Sequence, residues 1–199
     1  MRPARLPPGV NDTPDAADAY RTVAGPGRAR FEVRGSEFIG HVRPARTVDE
    51  AEGFVEAVRA EHADATHNVP AYRVRADPLR EYASDDGEPT NSAGKPALNV
   101  LQQEEIENVV AVVTRYYGGT NLGVGGLARA YSRAVTEAVE DAGVIEREPH
   151  EVVVITVEYD DFEAEYDAWV RFEALVARIA ARDLRDRIQS ATSRRADIS

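Results

Sequence analysis

The chain has 199 residues, 35 acidic against 24 basic side chains, and a net charge of −11. That length fits one or two domains, and an apolar fraction of 43% allows a globular core, while no apolar run approaches membrane-spanning length. Cysteine is absent, which excludes a disulfide framework, thiol catalysis and a thiolate metal site. No signal-peptide pattern opens the chain, so a cytoplasmic protein without membrane contact is expected. Lys95 is the sole lysine; every other cation is arginine. With acids scattered along the chain, this suggests adaptation to a high-salt cytoplasm, where hydrated carboxylates keep a protein soluble. A nucleic-acid or ribosome partner stays possible. At molar salt the Debye length is roughly 3 Å, so its contacts would have to be short-range and geometrically specific.

Met1 to Gly27 is rich in Pro, Ala, Asp and Gly and reads as a flexible lead, of which residues 1–19 are set apart from the first domain. Phe31 and Val33 alternate with charges, and Phe38-Ile39-Gly40-His41-Val42 follows Gly35, which predicts a strand pair turning near Gly35. Thr47 with Glu50 is a capping box. Ala51, Phe54, Val55 and Val58 continue it as an amphipathic helix to about His62. Asn68 to Val74 reads as a strand with Tyr72 and Val74 on one face; Pro70 requires a position without a ladder partner for its nitrogen. Tyr82 to Pro96 is polar and turn-rich, longer than a plain turn, and loops of that kind often carry function. A short helix is expected from near Lys95-Pro96 through Leu101.

The stretch from Val109 to Gly143 is the most informative. Five of the residues from Val109 to Thr114 are β-branched, which predicts a buried strand covered on both faces. It passes through Arg115-Tyr116-Tyr117 into a loop holding Gly118, Gly119, Gly123, Gly125 and Gly126. A helix follows, with Leu127, Ala130, Tyr131, Ala134, Val135, Ala138, Val139 and Ala142 on one face and Gly143 as its stop. Such a strand, loop and helix start offer backbone N–H groups to an anion or to another backbone. The loop lacks a P-loop ending and fits the dinucleotide pattern only loosely. Glycines serving tight turns alone explain it equally well. If it is a site, Gly125 or Gly126 is expected at positive φ or against other backbone. Beyond Pro149, Val152 to Tyr159 reads as a strand, Phe162 to Val176 as a strand pair, and Ala180 to Ala191 as a helix.

Several residues carry candidate chemistry. Arg115 and Arg129 are cations flanking the glycine loop, and Arg129 shares a helix face with Arg133. Tyr116 and Tyr117 beside Arg115 would suit stacking on bases, or half-buried packing. Asp85, Asp86 and Glu88 could hold a metal or do acid–base work, or simply make turns. His67 is a candidate base or a strand cap. The histidine spacings match no zinc motif. Lys95 stands beside the acidic loop.

Four motifs occur here in order: Gly35-Ser36-Glu37-Phe38-Ile39-Gly40-His41; Asp64-Ala65-Thr66-His67-Asn68; Ser84-Asp85-Asp86-Gly87-Glu88-Pro89 with Ala93-Gly94-Lys95-Pro96; and Thr114-Arg115-Tyr116-Tyr117-Gly118-Gly119 with Leu122-Gly123-Val124-Gly125-Gly126-Leu127. With them the chain resembles the IMPACT/YigZ family over about Tyr20 to Gly143, although Glu37 stands where that family usually carries a basic residue. The resemblance implies an α+β protein. Its N-terminal domain, residues 20–147, would be ribosomal-protein-like, with a mixed sheet and helices on one face. Residues 148–199 would form a shortened ferredoxin-like module lacking its first helix, whose sheet would expose an apolar face. Eukaryotic members regulate translation by binding a ribosome-associated activator of a starvation-responsive kinase; prokaryotic members are usually linked to ribosomes or nucleic acid.

The combined reading is a regulatory protein that binds a ribosome-associated protein or RNA, with no catalytic residue, metal or cofactor assigned. The candidate contact residues are His67, Asp85, Asp86, Glu88, Lys95, Arg115, Tyr116, Gly118, Gly119, Gly123, Gly125, Gly126 and Arg129. The alternative is an enzyme handling a phosphate-containing ligand with the glycine and acidic loops. The two differ in whether the acids, His67 and the glycine loop converge within hydrogen-bond reach.

Overall fold

A computed structural model describes residues 19–76, 78–158 and 169–198. They fall into two compact units, one spanning Tyr20–Arg147 and the other holding the residues from Glu148 onward.

In the first unit a five-stranded sheet is built from β2 (Gly27–Val33), β3 (Ser36–Pro44), β4 (His67–Val74), β5 (Arg80–Ala83) and β6 (Val109–Tyr116), in the order β2-β3-β6-β4-β5. Every neighbouring pair is antiparallel, so the α+β class holds but the expected mixed sheet is replaced by an antiparallel one. The reason is local: β2 and β3 are joined by the two-residue turn Arg34-Gly35, at φ of 48° and 80°, the left-handed geometry of a tight hairpin. Pro70 lies one residue outside the β4–β5 ladder, where its missing N–H breaks nothing.

β6 is the centre of the sheet, and Val109 to Val113 are fully buried. Its side chains alternate between two cores. Val109, Ala111 and Val113 face α2 (Gly94–Gln103) and α3 (Val124–Ala142). Val110 and Val112 face α1 (Val48–Glu61). Helices therefore cover both faces, not one. This follows from a strand with no polar side in its first five residues, which must be covered twice. The apolar stripe of α3 packs on the sheet as its spacing predicts, with Tyr131 edge-on to Phe38 at 5.4 Å between ring centroids. Thr47 caps α1 by accepting from the Glu50 N–H, and Glu50 returns a bond to the Arg46 N–H.

The start of this unit departs from the sequence reading. Tyr20 to Val23, read as flexible lead, is strand β1, paired antiparallel with β7 (Val144–Arg147) just past α3. Val23 is fully buried there, so non-local pairing overrides a Pro/Gly/Asp-rich context. The lead's residues 1–18 lie outside the described residues.

In the second unit β8 (His150–Glu158) pairs antiparallel with β9 (Trp169–Ala177) on one side and with β10 (Asp197–Ile198) on the other, and α4 (Arg178–Ala191) follows β9 directly. The expected first strand and last helix are present. Of the strand pair expected within Phe162 to Val176, one strand is described; residues 159–168, including the expected absence of a helix after Asp161, lie outside the described residues. The anticipated exposed apolar face appears at Val152 and Leu175, opposite each other in register and 54% and 72% exposed.

Two predictions follow from the packing. α3 rides directly on glycine backbone: a Cβ at Gly40 would overlap the carbonyl oxygen of Ala134. Gly40→Ala should lower unfolding stability by about 1–3 kcal/mol in denaturant titrations, whereas Gly53→Ala, in open space on α1, should not. On the other face His41 lies against His62, ring centroids 5.2 Å apart. Burial first, then the charges of Arg28 and His62, lower its pKa from 6.5 to about 4. The unfolded chain therefore holds that proton more tightly, so this contribution to stability is complete above pH 6.5 and is lost as pH falls toward 4. Unfolding measured at pH 7 and pH 5 should show a smaller acid loss for His41→Gln than for wild type.

Candidate functional site

β6 runs out of apolar residues at Thr114, and the alternation then sends Arg115 to the α3 side and Tyr116 to the α1 side. Arg115 is 4% exposed. Its Nη1 donates to Glu88 Oε1 at 2.6 Å and its Nη2 to Ser36 Oγ at 3.3 Å. Its guanidinium lies between the rings of Phe38 and Tyr117, at 5.5 and 5.3 Å. Glu88, also buried, accepts a second bond from the Tyr131 hydroxyl at 2.7 Å. Burial, and then the Glu88 charge, push the Tyr131 phenol far above its usual range, so it stays a donor.

The polar loop between β5 and α2 is organised by its acids. Asp85 accepts from the backbone N–H groups of Asn91, Ala93 and Gly94 at 2.7–3.0 Å, closing the loop onto the start of α2. Partial burial works against its charge, yet these three bonds hold the carboxyl below the usual range. Asp86 accepts from the Asn68 N–H at 2.7 Å and from Arg59 at 3.3 Å. His67 Nδ1 sits 2.7 Å from the Asp86 carbonyl oxygen; a carbonyl can only accept, so Nδ1 carries the proton. That leaves Nε2 turned toward Glu88, at 3.9 Å.

Thr66, His67, Glu88, Arg115, Tyr117, Asn121 and Gly123 meet around a cleft of about 520 Å³, walled by Pro89, Leu122, Val124 and Leu127. It opens at the start of α3, whose N-cap Gly123 (φ 71°) has no side chain to satisfy the first N–H groups and whose first turn carries no acid. Those N–H groups and the helix dipole favour a negative group there by roughly 0.3–1 kcal/mol per exposed contact.

Of the candidate residues, His67, Glu88, Arg115 and Gly123 come together; Asp85, Asp86, Lys95 and Arg129 do not line this cleft. Lys95 is exposed in the first turn of α2, and Arg129 lines a separate recess with Arg34 and Arg133. Tyr116 points to the opposite face, where its hydroxyl donates to Asp64 at 3.1 Å and meets His62 Nδ1 at 3.0 Å. Burial and Asp64 raise its pKa. Of the two tyrosines it is Tyr117 whose ring lies beside the Arg115 guanidinium. Positive φ falls at Gly119 and Gly123; Gly125 and Gly126 are already helical, and a Cβ on either would meet side chains only. Gly118 is the glycine that touches backbone, since a Cβ would overlap the Gly35 carbonyl. The residues missed beforehand are Ser36, Thr66 and Asn121 as polar groups, and Tyr131, which the apolar stripe marked as core alone.

Burial makes the arginine structural. Arg115→Ala should strand Glu88 and cost about 3–5 kcal/mol in denaturant unfolding. Pairing Arg115→Met with Glu88→Leu should recover most of that loss, as expected when an unpaired buried charge is the penalty.

Comparison with known proteins agrees with this geometry. Residues 34–139 match the Impact N-terminal domain family. The chain is 38% identical over 141 residues to "IMPACT family member YvyE" of Bacillus subtilis, covering 71% of this chain and 65% of that protein, slightly less than two thirds of its length. It is 39% identical over 144 residues to "IMPACT family member YigZ" of Escherichia coli, covering 71% of each. A crystal structure described as that of a hypothetical protein superposes with a TM-score of 0.72 at 29% identity, over 91% of this chain and 96% of the other. No helix among the described residues is long and apolar enough to cross a membrane. With the four motifs assembled on one sheet and the domain matched across its central strands, the chain belongs to the IMPACT family.

Proposed function

We propose that the chain is a cytoplasmic regulator of translation, and that it works by binding a ribosome-associated protein or RNA through the cleft at the start of α3. The observation carrying this reading is where the acids go. Asp85 and Asp86 are spent on backbone N–H groups, and Glu88 on Arg115 and Tyr131. What is left facing outward is a set of polar groups and apolar walls: the His67 ring, Asn121, the uncapped helix start, Leu122 and Val124. That is the chemistry of a contact surface. Translation control enters from the family resemblance.

The enzymatic alternative draws on one fact, that His67, Glu88, Arg115 and Gly123 share the cleft. It carries less, because His67 Nε2 is 3.9 Å from a carboxylate oxygen already bonded twice.

Val124 opens α3 and is 57% exposed in the cleft wall, so Val124→Glu puts a negative charge at the mouth while leaving the fold intact. In sucrose gradients of native-salt lysate, wild type should travel with ribosomal particles and the variant should remain near the top. Wild type absent from the particle fractions, or a variant sedimenting like wild type, would overturn the reading.

A further inference from the structure

The chain carries a second concavity whose chemistry differs from that of the cleft. It is a recess of about 300 Å³ between the β2–β3 turn and the outer face of α3, lined by Arg34, Arg129 and Arg133 with Val33, Leu122 and Gly126. We propose that this recess is a binding site for a phosphate group. Only Leu122 is shared with the cleft, and the proposal holds whether or not the cleft binds a partner.

The first argument is electrostatic. Several arginines of this acidic chain sit on acids: Arg21 on Glu104, Arg73 on Glu81, Arg75 on Glu107, Arg185 on Glu151. Arg34 and Arg129 have no ion pair or hydrogen bond among the described residues. Two unneutralised guanidiniums beside a third repel one another, an arrangement that a bound anion relieves. The nearest part of α3 adds to the field, since its first turn holds no acid and no side chain caps it.

The second argument is preorganisation. Arg133 is stacked over the Phe31 ring at 4.0 Å, and only its Nε is taken, by Glu137 at 2.6 Å. Arg34 stands on a rigid hairpin turn, at φ 48°, braced where Gly35 abuts Gly118. Arg133 is therefore held by its neighbours, and the backbone of Arg34 is fixed at the rim of the recess. Guanidinium forks match phosphate oxygens two at a time, and the walls of Val33 and Leu122 limit water around them. Such short, directional contacts are the kind that survive heavy screening. Three arginines exceed what one carboxylate needs and suit the greater charge and oxygen count of a phosphate, whether on a small molecule or in an RNA backbone.

Calorimetric titration of the full chain at matched ionic strength tests this, with three probes: inorganic phosphate, pyrophosphate, and an oligouridylate of about ten nucleotides. The variants are Arg129→Gln and Arg34→Asn, asparagine being chosen because it tolerates the left-handed backbone. Arg80→Gln, on the opposite edge strand of the sheet, is the control. Wild type should bind at least one probe, and each recess variant should weaken that binding about tenfold or more, with the control unchanged. Thermal melts of the three variants should match wild type, separating lost binding from lost fold. Binding of phosphate or pyrophosphate assigns a small phosphorylated ligand; binding of the oligonucleotide alone assigns the RNA backbone. No binding of any probe by wild type, recess variants that bind as wild type does, or a control that weakens equally would overturn the proposal.

Discussion

The buried pair of Arg115 and Glu88 is the constraint on which the rest of the first unit depends. Two opposite charges removed from water are tolerable only while their geometry is kept, because either one alone is a heavy penalty. Arg115 lies near the end of the central strand, Glu88 in the middle of the polar loop, Tyr131 reaches in from α3, and Ser36 joins from the start of β3. Four segments distant in sequence are thus held to one another by a single carboxylate and a single guanidinium. The floor of the cleft is that junction, so its shape and the stability of the unit are set by the same atoms.

Much of this was legible in the residues. The β-branched run from Val109 could only be a twice-covered strand, and the stripe on α3 could only be a buried face. The capping box, the hairpin near Gly35 and the short helix at Lys95-Pro96 are local chemistry, and local chemistry reads well. What failed depended on partners far along the chain. Tyr20 to Val23 is a strand only because Val144 to Arg147 lies beside it. Arg115, Tyr116 and Tyr117 look like one stacking platform until the period of two in β6 is carried further, which keeps Tyr117 beside the guanidinium and turns Tyr116 to the other face. Glu88 reads as one more turn-making acid unless Arg115 is known to lie beneath it. The pull of the acidic loop toward metal or acid–base chemistry came from counting carboxylates without asking which N–H groups needed them.

The cation set, all arginine but for Lys95, fits the same physics. Guanidinium keeps its hydrogen-bonding directions when long-range attraction is screened, and it tolerates partial burial better than an ammonium group. Arg115 between two rings, Arg133 over Phe31 and Arg43 over Phe54 use the flat face of the group as packing surface. A chain with a large negative charge thereby keeps its few cations where geometry gives them most effect.

The glycine seat beneath α3 has a consequence for how the molecule responds to a ligand. With Gly27 and Gly40 pressed against the helix backbone at Ala138 and Ala134, α3 has no side-chain layer on that flank in which to roll or slide. Its first turn borders both concavities and is carried on this fixed support. Adaptation to different ligands then falls to the loop from Gly118 to Gly123, and association should lose little conformational entropy from the helix itself. The helix is thus the fixed jaw of either concavity and the glycine loop the adjustable one.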